Sequence, residues 1–153
     1  MLRPLSILVL LLLIAQFLVG MAVNLFVEIP KHHPGARPPE YFSGVAQSVT
    51  WALLGSGLLW LVVHVVLGVL LFLLAIVLLV VAIRRGRRGH AVAVGHAVAV
   101  GLGLAGVLAA GFNGASFLNY DEDFSSMLMS AGFALALAAY VTGLALQGSA
   151  DQR

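Results

Sequence analysis

GHAVAVGHAVAVG, residues 89–101, carries the hexapeptide Gly-His-Ala-Val-Ala-Val twice without a change. Its small and branched residues alternate with the period of a β-strand, and its two histidines invite a ligand-site reading. The surroundings decide otherwise. The apolar run continues to residue 112 with no charged residue and begins just after Arg84, Arg85, Arg87 and Arg88. That is the length of a membrane-spanning helix, for which about 20 apolar residues suffice. A lone strand at that depth would leave its backbone groups unpaired, at several kcal/mol each. Helix is the reading.

On a helix, residues six apart point about 120° from one another, so His90 and His96 are not a ligand pair. The repeat instead supplies rows of small residues at four-residue spacing. One row is Ala93, Ala97, Gly101, Ala105 and Ala109; another is Ala91, Gly95, Ala99 and Gly103. Such rows let membrane helices approach closely, and they predict that this span is the tightly packed centre of a bundle.

The composition agrees. Of 153 residues, 61% are hydrophobic and 9% charged, and the mean hydropathy is +1.07. A water-soluble domain devotes about a quarter of its residues to charge, so this chain cannot cover a surface with polar groups. The formal charge of +2 gives no footing for nucleic-acid binding, and the absence of cysteine excludes disulfides, thiolate metal sites and thiol chemistry. Seven Arg against one Lys, with abundant Ala, Gly, Val and Leu, is the composition of a GC-rich bacterial genome.

Four spans are expected, at about 5–27, 58–83, 91–112 and 127–146. Arg3 and the "GMA" at 20–22 give the first the outline of a secretion signal, but its apolar run exceeds the roughly 7–15 residues of a signal core. It reads as a retained helix. The apolar run from residue 51 to 83 is too long for one crossing, and "GSG" at 55–57 offers a break. Residues 42–54 then form an interfacial or re-entrant helix, with Phe42, Val45, Val49 and Leu53 on one face. "RRGRR" at 84–88 places the loop of residues 84–90 in the cytoplasm by the positive-inside rule. The fold expected is an all-α integral membrane four-helix bundle in the plasma membrane, with both termini cytoplasmic. Residues 28–57 and a loop at 113–126 lie outside.

Polar residues gather at that outer end. At about 1.5 Å per residue from Arg3 and Arg84, Asn24 and His64 both stand about 30 Å up. "EIPKHHPGARPPEYF" contributes Glu28, His32 and His33; "FNGASFLNYDEDFSS" contributes Asn113, Asn119, Tyr120 and Asp121. Together they are expected to form a site for a small polar ligand, an ion or a partner protein. Within it His33, His64 and Asp121 are the candidate metal ligands, since imidazole and carboxylate suit transition metals. The bland alternative is helix capping, for which Asp121 to Asp123 stand well placed.

No catalytic motif is present, so an enzyme is not expected. Haem held between facing histidines is a second reading, but His96 stands only about 12 Å up, about 18 Å below His64. His64 would need His32 or His33 as partner, or His96 would bind alone. A transport component is a third reading. Its polar path would be Gln16, His64, His96, Ser130 and Thr142, too sparse without an oligomer or a membrane-protein partner. No cofactor is required by any motif, although a metal ion or haem would suit the histidines. The expected partners are the lipid bilayer and a second membrane protein or another copy.

Overall fold

A computed structural model describes residues 2–37, 39–86 and 91–150, the side chains of residues 149 and 150 excepted. Its five helices are α1 (Leu2–Phe26), α2 (Tyr41–Leu54), α3 (Leu59–Gly86), α4 (Ala91–Tyr120) and α5 (Asp123–Ala150). The architecture is a helical bundle in which four helices, all but α2, are long and apolar enough to cross a membrane. Arg87 and Arg88, which carried part of the orientation argument, and His90 lie outside the described residues.

The four long helices close into a ring. α1 packs on α3, α3 on α4, α4 on α5 and α5 back on α1, while α2 lies against α3 and α4. Side chains show that neighbours run antiparallel: Gly20 of α1 meets His64 of α3, and Gly68 of α3 meets Gln16 of α1. The central core joins Val9, Leu13, Leu71, Leu78, Val100, Val107, Ala136 and Tyr140. A second cluster of Val23, Ala52, Leu61 and Leu118 seats α2 on the bundle. Outward-facing Leu11, Leu18, Leu73, Val98 and Leu102 are exposed. An apolar outer surface of this kind is at home in lipid and costly in water.

The α4–α5 seam is the closest contact. A Cβ on Gly106 would stand 2.6 Å from the Gly132 carbonyl oxygen and the Ala136 nitrogen, and one on Gly132 2.6 Å from the Ala110 nitrogen. The ring of Tyr140 lies on Gly103 in the same way. Of the two expected rows, Gly95, Ala99 and Gly103 face α5 at Leu146, Gly143 and Tyr140. The row of Ala93, Ala97, Gly101, Ala105 and Ala109 reaches α5 at Ala109, but Gly101 faces Leu79 of α3 and Ala105 is exposed. The reason is geometric: residues four apart advance about 40° around the helix, so a long four-residue row rolls off its partner. The seam continues from Gly103 through Gly106 and Ala110, a step of three bringing it back over α5.

One boundary follows expectation and one departs from it. The break at residues 55–57 forms as predicted, with Gly57 at φ +66°, the left-handed region that glycine enters without strain. The loop expected at 113–126 does not form. α4 runs on to Tyr120, and only Asp121 and Glu122 separate it from α5. Asp121 makes the turn at φ 55°, a conformation that Asp tolerates better than most residues. The buried side chains of Ser116, Leu118 and Asn119 hold those extra turns against their neighbours, overriding a local composition that favours a loop.

Candidate functional site

At the end opposite Arg84 and Arg85, residues 27–40 form a strap from α1 to α2. Four prolines (30, 34, 38 and 39) limit its conformations, and buried polar side chains fix the rest. His33 is 5% exposed. Its Nδ1 accepts from the Gly35 backbone N–H at 3.1 Å, so the neutral ring carries its proton on Nε2, which donates to the Leu118 carbonyl at 2.8 Å. The ring stacks on Trp51, with centroids 4.0 Å apart and planes at 11°.

A second anchor lies beside it. Asn119 Oδ1 accepts from the Arg37 N–H at 3.0 Å. The Ser48 hydroxyl lies 3.2 Å from the Gly35 carbonyl and 3.3 Å from Asn119 Oδ1, sharing one proton between two acceptors. Helix α2 presents Gly44, Ser48 and Ala52 to the bundle. The small face is needed because a Cβ on Gly44 would stand 2.7 Å from the Asn119 amide and from the Arg37 carbonyl oxygen. The expected apolar row lies about 100° around the helix, with Phe42 78% exposed.

His33 and Asn119 are therefore brought together, but as struts of the strap. Asn24, Glu28 and His32 are exposed. Asn113 donates to the Ala109 carbonyl of its own helix at 2.8 Å, and Tyr120 stacks on Tyr41 with centroids 5.9 Å apart. Lys31 Nζ pairs with Asp121 at 2.8 Å; that hydrogen bond, and then the Asp121 charge, raise the ammonium above its ordinary pKa.

His64 does not join them. Its Nε2 lies 3.3 Å from the Gln16 amide nitrogen, between α1 and α3. Since both His33 nitrogens are engaged and Asp121 holds Lys31, the expected metal trio of His33, His64 and Asp121 does not assemble. Among the described residues no group of three or more His, Asp or Glu side chains is placed to hold a metal ion. The haem pairings fare no better: His32 points to the exterior, His33 is committed, and His96 lies far along the bundle. Gly20 marks the level of His64 and Ser6 that of His96, about 20 Å apart along α1.

His96 has its own setting, which includes residues that sequence reasoning missed. Its Nδ1 donates to the Gly143 carbonyl at 3.0 Å, leaving Nε2 to accept from Gln147 Nε2 at 2.9 Å. Gln147 also donates to the Ser6 hydroxyl at 3.0 Å. This tie joins α1, α4 and α5 at the arginine end. Depth counting from the helix ends would have placed Ser6, His96 and Gln147 at one level. Ser130 and Thr142, by contrast, bond to the carbonyls of Ser126 and Ala138 on their own helix and are exposed on the outside of the bundle.

No family model matches the chain, and neither the curated proteins nor the solved structures include a match.

Proposed function

We propose that this chain is a non-enzymatic integral membrane protein of the plasma membrane, spanning it four times with both ends cytoplasmic, and that its outer cap is a preformed surface for a partner protein. One observation carries the reading. The strap is held from beneath by His33, Ser48 and Asn119 while Glu28, Lys31, His32, Arg37 and Glu40 face outward. A loop ordered by its own buried bonds presents polar groups without losing further entropy on binding, which favours specific recognition. An exposed, convex set of mixed charges suits a protein surface better than an enclosed small molecule.

The orientation is supported by Arg84 and Arg85 at the end of α3. Because the chain has no cysteine, single-cysteine variants test it directly. A membrane-impermeant maleimide is expected to label His32→Cys in intact cells and to label Arg87→Cys only after lysis. For the partner, a photo-crosslinking residue at position 32 in native membranes is expected to give a discrete protein adduct. The same residue at Val69, exposed on the flank of α3, gives none, and Asn119→Ala weakens the position-32 adduct. Equal adducts from positions 32 and 69, or none from 32, would overturn the reading.

A further inference from the structure

His33 holds the strap through two roles that only a neutral ring performs together: Nε2–H donates to the Leu118 carbonyl and Nδ1 accepts from the Gly35 amide. An imidazolium has two donors and no acceptor. Rotating the ring does not help, because either nitrogen would then confront the Gly35 N–H with a proton. Gly35 cannot shift inward, since any atom at its Cβ position would lie 2.6 Å from the Gln47 carbonyl oxygen. The protonated ring keeps its bond to Leu118 and gains a cation–π contact with Trp51, on which it already stacks at 4.0 Å. The contact that fails is the one to Gly35.

We infer that His33 is an acid-sensitive latch, whose protonation detaches the strap segment of residues 35–37 from α2 and α4 while the imidazole stays on Trp51. Release of Gly35 also removes the carbonyl that faces the Ser48 hydroxyl and loosens the neighbouring bond from Arg37 to Asn119. None of the hydrogen-bond or ring partners of His33 is itself ionisable. The charged and titratable groups of the surrounding elements are Glu28, Lys31, His32 and Arg37 in the strap, Glu40 before α2, and Asp121 and Glu122 after α4; Glu28, His32 and Glu122 are exposed. Lys31 and Asp121 neutralise each other, and Glu40 is turned to the Ser43 hydroxyl at 2.7 Å. The latched ring has no free acceptor for a second proton while its Nδ1 holds the Gly35 N–H, so acid favours the released form. The inference deepens the proposed function by giving the cap a regulator, and that regulatory meaning rests on the strap being the binding surface; the latch itself does not.

The test reads the strap, so it stands or falls apart from any partner. In the full-length protein in lipid nanodiscs, hydrogen exchange of the 35–37 amides is compared with that of the bundle between about pH 7.5 and pH 5, after correction for intrinsic rates. Protection of the Gly35 and Arg37 amides is expected to fall about tenfold, as for a lost buried hydrogen bond, with α3 and α5 unchanged. In a Trp60→Phe background, Trp51 fluorescence is expected to be quenched over the same range by the stacked imidazolium. His33→Gln removes both responses, His32→Gln keeps them, and Asp121→Asn keeps them although the Lys31 pair is gone. A wild-type strap whose protection does not change overturns the latch without reference to any variant. So does a step that survives in His33→Gln or vanishes in Asp121→Asn.

Discussion

Asn119 shows how much one amide can hold. Its Oδ1 receives the Arg37 N–H and shares the Ser48 hydroxyl, so Asn119→Ala strands the Arg37 N–H and leaves Ser48 the Gly35 carbonyl alone, at a cost of about 1–3 kcal/mol. Limited proteolysis is the sensitive assay: cleavage within residues 28–40 is expected to quicken while the long helices stay intact. Asp121 gives a smaller effect of defined sign. It raises the pKa of Lys31 in the folded state. The resulting stabilisation is therefore complete below the unfolded lysine value, about 10.4, and is lost as pH rises through the higher folded value. Because Lys31 is fully exposed, salt screens the pair. The melting difference between wild type and Asp121→Asn is expected to be small, to shrink in high salt and to vanish at strongly alkaline pH. At this scale the sequence was only half legible. His33 stands out by its type and its neighbour His32, but nothing in "KHHPG" tells which histidine turns inward. That is settled by a carbonyl 85 residues away.

Helices behave differently. Four apolar runs and a break at Gly55–Gly57 are visible in the chain because burial in lipid imposes length and composition on every span. The end of α4 is hidden, because Gly, Asn and Ser between 113 and 120 have the composition of a loop, and their burial against α2, the strap and α5 keeps them helical. The seam residues were legible in kind and only partly in register: Gly95, Ala99 and Gly103 face α5, while Ala105 of the other row is exposed. Register yields a paired prediction. Gly106→Ala thrusts a methyl group into the Gly132 carbonyl, and is expected to destabilise the α4–α5 pair by about 1–3 kcal/mol. Gly111→Ala, five residues along the same helix, meets nothing within 4 Å, and is expected to be neutral or to stabilise by up to about 1 kcal/mol through helix propensity. Unfolding titrations in detergent, run side by side, check both. Equal losses would mean that the seam does not run through Gly106.

The whole molecule is tied at both ends. His33 and Asn119 close the strap end, and the Ser6–Gln147–His96 tie closes the arginine end. Gln147→Ala is expected to cost about 1 kcal/mol or less, the usual worth of an interhelical hydrogen bond in a membrane, and to leave the strap unchanged by proteolysis. The two-residue link between α4 and α5 carries a consequence for how the protein is made. Ser116 and Ser125, nine residues apart, already touch across it, so this hairpin can zip shut from its turn as soon as both helices are made. α1 meets its partners in two stages. Gln16 finds His64 of α3 only 48 residues on, but Ser6 lies 141 residues from Gln147, which at about 5–20 residues per second means a wait on the order of ten seconds. The bond that closes the ring therefore waits for the α4–α5 hairpin to be synthesised.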